Sequence, residues 1–120
     1  MDKYQAINEF WNRFGVMAYD ENTVPDDAEL PYITYGVNIG DFDSAVIVNA
    51  SIWDRSTSWD GVSEIEEKIN QAMSNGGVMV PYDNGGIRIV KGNPWSQRLS
   101  DNSNRDIRRV VLGVMMEFIE

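Results

Sequence analysis

Apolar residues in the first fifteen positions recur at helical spacing. Tyr4, Ile7, Trp11 and Phe14 form one stripe, and Lys3, Gln5, Asn8, Glu9 and Asn12 form the opposite face. Asp2 is placed to cap this helix and Gly15 to end it. Met17–Tyr19 reads as a short extended piece. The acidic stretch Asp20–Glu29, with Pro25 inside it and Pro31 after it, reads as an exposed loop.

The pattern then changes to strand. Tyr32–Ile39 and Ala45–Trp53 are rich in β-branched and aromatic residues, with Gly40-Asp41-Phe42-Asp43-Ser44 between them as a hairpin loop. In the second strand Val46, Val48, Ala50 and Ile52 share the side expected to face the core. Ile47, Asn49, Ser51 and Trp53 share the other. Beyond a polar link, Val62, Ile65, Ile69, Ala72 and Met73 predict a second amphipathic helix, with Ser58 or Asp60 as its cap and a Glu64–Lys68 pair on its wet side. Asn75-Gly76-Gly77 stops it. Val78–Tyr82 and Ile87–Val90 predict a second hairpin through Asp83-Asn84-Gly85-Gly86, where an Asn-Gly turn accommodates positive φ. Lys91–Asn104 reads as a polar connection.

Residues 106–119 fit two periods. Ile107, Val110, Val111, Val114, Met115 and Phe118 have helical spacing. Val110-Val111, Gly113 and the missing C-cap favour a strand buried on both faces, and strand is the expectation. The predicted fold is a single α+β domain over residues 1–120. It is a mostly antiparallel sheet packed by two helices, in the order α-β-β-α-β-β-β.

Composition narrows the chemistry more than the fold. The chain has 120 residues, 42% of them apolar, enough for one buried core and too many for intrinsic disorder. No apolar run reaches the roughly 20 residues that span a bilayer, and the N-terminus lacks the pattern of a secretion signal. With neither Cys nor His, disulfides, thiolate nucleophiles, Ser-His-Asp triads and most zinc sites are excluded. Asn49-Ala50-Ser51 matches a glycosylation acceptor but lies inside a predicted strand, where a chance match is the better reading.

Net charge is −9 and unevenly spread: residues 1–67 hold fourteen acids against three bases, and residues 68–120 hold seven bases against five acids. A nucleic-acid binder presents a basic face. Here only Lys91, Arg98, Arg105, Arg108 and Arg109 could make a local patch. A dipolar subunit is better suited to packing head to tail against its own copies.

Carboxylates are the remaining catalytic currency. The Asp20–Glu29 stretch (Asp20, Glu21, Asp26, Asp27, Glu29) and the Asp41/Asp43 loop could hold Mg²⁺ or Ca²⁺, but neither follows the calcium-loop pattern. Asp54 and Asp60, beside Trp53 and Trp59, are the best acid–base pair, and a packing role for those tryptophans is the simpler account. The glycine pairs lack the Lys-Ser/Thr of a phosphate loop.

Two polar segments carry tryptophans: Trp53-Asp54-Arg55-Ser56-Thr57-Ser58-Trp59 and Gly92-Asn93-Pro94-Trp95-Ser96-Gln97-Arg98-Leu99-Ser100-Asp101. Trp and Arg in polar surroundings are the residue types that anchor protein interfaces. The expected contact residues are Trp53, Arg55, Ser56 and Trp59 in the first, Pro94, Trp95, Gln97, Arg98 and Asp101 in the second, and Arg108 beyond them. Trp53 could equally fold onto the core edge.

The run Pro31-Tyr32-Ile33-Thr34-Tyr35, then Ser51-Ile52-Trp53, Arg55-Ser56-Thr57-Ser58-Trp59, Pro94-Trp95, Gln97-Arg98, Ser100-Asp101, Ile107-Arg108-Arg109-Val110-Val111-Leu112 and Glu117-Phe118 resembles a family of small tail proteins. These are encoded in phages and prophages of Gram-positive bacteria, and the group is that of tail-completion, tail-terminator and head–tail joining proteins. The resemblance departs from the family at Trp95, where Phe is common, and at Gly113, where a polar residue is common. It implies an α+β subunit in a hexameric ring that caps the tail tube and meets the head connector. Its partners would be itself, the major tail-tube protein and a head-completion or connector protein, with DNA only passing through the lumen. Neither cofactor nor catalysis nor membrane is implied. The protein would reside in the virion after assembly in the bacterial cytoplasm. The alternatives are another neck or minor capsid component and, from a different class, a metal-dependent carboxylate hydrolase or nuclease.

Overall fold

The computed structural model describes residues 1–39, 45–100 and 106–119, the Ser100 side chain excepted. The predicted hairpin loop at 40–44, with Asp41 and Asp43, and the positions Asp101 and Arg105 lie outside the described residues.

Helix α1 runs Lys3–Trp11 and opens on a capping box. The Asp2 carboxylate accepts the Gln5 N–H at 2.8 Å, and the Gln5 side chain accepts the Asp2 N–H at 2.9 Å. Its buried face is Ala6, Ile7, Phe10 and Trp11. Tyr4, expected in the apolar stripe, is 61% exposed: the stripe that packs is centred on Phe10, turned away from Tyr4. The Asn12 side chain follows the helix and bonds strand β1 (Met17–Asp20) twice, its Oδ1 accepting the Ala18 N–H at 2.9 Å and its Nδ2 donating to the Ala18 carbonyl at 3.2 Å. The extended piece expected at 17–19 is therefore a sheet strand pinned to the end of α1.

Strand β1 pairs in parallel with β2 (Tyr32–Tyr35), and β2 pairs antiparallel with β3 (Ala45–Arg55). Helix α2 (Asp60–Ala72) follows, with Val62, Ile65 and Ile69 buried and Met73 closing the row. Its N-cap is Trp59, which makes no side-chain capping bond. Ser58, one of the two expected caps, instead accepts the Asp60 N–H through its hydroxyl at 3.1 Å. The helix ends at three successive positive-φ residues, Asn75, Gly76 and Gly77.

Strands β4 (Val78–Tyr82), β5 (Gly85–Ser100) and β6 (Ile107–Ile119) complete a six-stranded sheet in the order β1-β2-β3-β6-β5-β4. The β4–β5 hairpin forms where expected, but its turn is Asp83-Asn84, with Tyr82 opposite Gly85, and no residue from Asp83 to Gly86 has positive φ. Residues 107–119 are a strand, as the Val110-Val111 pair and Gly113 indicated. One alternation of β6, Val110 through Phe118, is fully buried, and the other is half-covered. The polar connection expected at 91–104 is instead strand through Ser100, interrupted by one irregularity between Lys91 and Ser96.

Both helices lie on one face of the sheet. That face holds Val48, Ala50 and Ile52 of β3, Val110, Leu112, Val114, Met116 and Phe118 of β6, and Ile87 and Ile89 of β5. Phe10, Trp11 and Phe14 add an edge-to-face aromatic chain, and the Trp11 ring stacks on Tyr35 with centroids 6.4 Å apart. Each fully buried side chain of this kind stabilises the fold by about 1.5–3 kcal/mol. The other face carries no helix among the described residues.

Candidate functional site

The two tryptophan segments are largely strand, and only Ser56–Trp59 link β3 to α2. Trp53, Asp54 and Arg55 end strand β3, and Gly92–Ser100 belong to β5. Strand alternation therefore assigns the strand residues among the expected contacts to a face, and they divide between the two.

Trp53 lies on the open face, half-buried. Its indole Nε1 donates to Thr34 Oγ1 at 2.9 Å, and the Arg109 guanidinium lies over its ring at 4.4 Å. Arg109 Nε also donates to Ser51 Oγ at 3.1 Å, which satisfies a hydroxyl buried to 4% exposure. Arg55 and Gln97 point to this face and are exposed. Pro94 reaches it through an arch. Between Lys91 and Ser96 the β5 backbone passes over Gly113, so that a Cβ at Gly113 would stand 2.6 Å from the Pro94 carbonyl oxygen. The arch bounds a cleft of about 270 Å³ lined by Ile47, Asn49, Asn93, Pro94, Gln97 and Val111.

Trp59, Arg98 and Arg108 gather on the helix side. The Trp59 ring has the Arg98 guanidinium at 4.8 Å and that of Arg108 at 5.4 Å. Arg98 reaches Ser63 Oγ of α2 at 3.3 Å, and Arg108 donates to the Thr57 carbonyl at 3.0 Å. Trp95 packs against the core margin with the Lys91 ammonium 5.3 Å from its ring, and Lys91 is bonded to the Asn70 side chain on α2. Ser56 is half-buried, its N–H donating to the Asp106 carbonyl and its hydroxyl accepting from Ser58 at 3.0 Å. These residues tie α2 to β5 and β6.

Asp54 and Asp20 sit in structural positions. Asp54 accepts the Arg55 N–H at 2.8 Å, and its Oδ2 lies 2.5 Å from where a Gly61 Cβ would be, against the first turn of α2. A carboxylate there complements the positive end of the helix dipole. Asp20 accepts the Asn22 N–H at 2.9 Å as a turn-former at the head of the acidic loop. Among the described residues no three acidic side chains converge as a metal site would require. The Tyr35 hydroxyl has its pKa raised above the ordinary value. Burial pushes its hydroxyl up, Asp20 pushes the same way, and a hydrogen bond from Asn8 at 2.7 Å opposes both.

Three residues that the sequence reading did not mark as contacts stand out on the open face: Ile47, 69% exposed, Met17, 57%, and Met79, 56%. Around them Val90, Val111, Met115 and Ile119 are only half-covered. The signal was present. Apolar residues occupy both alternations of β3 and β6, as expected for strands covered on both sides. The sheet order that puts Met17, Ile47 and Met79 on one surface was not in the sequence pattern.

No protein-family model matches the chain, and no curated protein does. Among solved structures the chain is similar to a chain of "Virion of native gene transfer agent (GTA) particle". The TM-score is 0.67, the identity 14%, and the match covers 96% of this chain and 90% of that one.

Proposed function

We propose that this protein is a structural virion subunit that closes a ring at the head–tail junction of a long-tailed phage-like particle, the role of a tail terminator. The observation that carries the reading is the fold likeness to a virion chain, which extends over nearly the whole of both chains. The resemblance of the runs from Pro31 to Phe118 to small tail proteins supports the same reading. A subunit of this kind needs no catalysis or cofactor; Asp20 serves a turn and Asp54 lies at a helix start. It does need surfaces for its neighbours, and the open sheet face supplies one. In this reading the ring is a hexamer in the virion, seated on the tail-tube protein, facing a head-completion or connector protein, with DNA passing through its lumen. Of the expected contact residues, Arg55, Pro94 and Gln97 are reachable by a neighbour from the open face, beside Trp53. Trp59, Trp95, Arg98, Arg108 and Ser56 shape the helix-side end that a second partner would meet.

The test is the assembled mass by light scattering, with negative-stain images, for the full chain alone and mixed with the tail-tube protein encoded beside it. A ring in either condition is expected. A chain that stays monomeric in both overturns the reading.

A further inference from the structure

A mostly antiparallel sheet with helices on one face ordinarily turns polar residues to the water on the other. This one does not. Ile47, Met115 and Val90 lie side by side across β3, β6 and β5, and Met79 of β4 continues the surface beside Arg88. Exposed apolar patches of this kind on soluble chains mark interaction sites.

Charge says what covers it. The chain as a whole is at −9, yet the described residues of the open face carry three arginines, Arg55, Arg88 and Arg109, against two carboxylates, Glu117 and, beside Ile47, Glu21. The 20–31 segment is acidic and holds five carboxylates and no base, together with Val24, Pro25 and Leu30. That segment joins β1 to β2 at one edge of the sheet, and Arg88 and Met79 lie at the other edge. From β1 to β5 there are four strand spacings, on the order of 19 Å. The two complementary surfaces stand at opposite edges of one sheet and are available to meet between copies. Two different patches meeting in this way make the heterologous contact that a closed ring requires.

We propose that the open face from Ile47 of β3 across β6 and β5 to Met79 of β4 receives the acidic 20–31 loop of a second copy of this chain. The inference rests on the ring reading above and names its contact. Arg88 faces the loop carboxylates, and Ile47 and Met79 are covered by its apolar residues.

Charge reversal on the full chain tests it, read by sedimentation and light scattering with and without the tail-tube protein. Asp26→Lys/Asp27→Lys and Arg88→Glu, each alone, are expected to lower the assembled fraction at least tenfold. Combining the three substitutions restores assembly. Ile47→Asp abolishes it while the melting curve of the monomer is unchanged, since Ile47 is exposed. Single-sided reversals that assemble as well as the parent chain, or a combination that fails to restore assembly, overturn the proposed contact and leave the ring standing. A parent chain that is monomeric in both conditions overturns the ring and the contact together.

Discussion

The Arg109 guanidinium lies 4.4 Å from the centroid of the Trp53 ring, directly across the β3–β6 ladder, and the same side chain donates to Ser51. A cation stacked on a half-buried indole contributes about 0.5–2 kcal/mol, and the bond to a buried hydroxyl about 1 kcal/mol more. Removing the arginine strips the hydroxyl of its partner as well. Arg109→Ala is expected to destabilise the chain by about 1–3 kcal/mol in urea unfolding. Arg109→Lys restores only part of that, because an ammonium cannot both stack flat and donate sideways.

The arch of β5 depends on a missing side chain. Gly113→Ala places a methyl against the Pro94 carbonyl and is expected to cost about 1–3 kcal/mol, as overpacking does. Gly76→Ala is the comparison. Its site is open but at φ 93°, so its cost is conformational and about 1 kcal/mol. Thermal melts of the two separate crowding from backbone strain, and amide exchange near Gly92 should rise only in the first.

Tyr35 gives the fold an alkaline limit. Because burial raises its pKa above the ordinary value of 10.0, the folded chain favours the neutral phenol. That contribution is complete below pH 10 and is lost as pH climbs through the raised value. Melting temperature measured from pH 8 upward should therefore fall more steeply above about pH 10 in the parent chain than in Tyr35→Phe. At neutral pH that variant loses the Asn8 hydrogen bond, worth about 1 kcal/mol.

Trp59 holds the start of α2 in place of a side-chain cap. Trp59→Ala removes a ring flanked by Arg98 and Arg108 and packed on the core margin. Its expected cost is about 2–4 kcal/mol. Hydrogen exchange should show faster opening across residues 60–65 before other parts of the chain are affected.

The carboxylates should be inert toward metals. Millimolar Mg²⁺ or Mn²⁺ is expected to leave the melting temperature within a degree, and Asp54→Asn to alter stability alone. Metal-dependent cleavage of nucleic acid that Asp54→Asn abolishes would replace the structural reading with a catalytic one.

Much of this architecture is written locally. Asp2 announces α1, Asn75-Gly76-Gly77 ends α2, and Val110-Val111 with Gly113 marks a strand, because each depends on neighbours a few places away. The continuation of β5 through Gly92–Ser100 is not local. Its polar side chains read as a loop until Leu112, Val111 and Val110 are known to lie opposite Ser96, Gln97 and Arg98. The pairing of Asn12 with Ala18 was hidden for the same reason, since a polar residue at a helix end carries no mark of the strand it will bind. The tryptophan segments were found as a pattern. Which face each ring takes followed from register: one residue of slip would exchange Trp53 with Asp54.

The β4 strand carries a further consequence. In a hairpin with a two-residue turn, Tyr82 and Gly85 exchange hydrogen bonds across the strands, so the next residue, Pro81, turns its nitrogen outward to the free rim of the sheet. That nitrogen has no hydrogen to give. The opposite rim, β1, is only four residues long. Neither margin offers the unbroken row of donors on which strands add to strands without limit. In the proposed ring, where growth would stop at a closed count, such edges bar the subunit from the fibre, the one assembly that never closes.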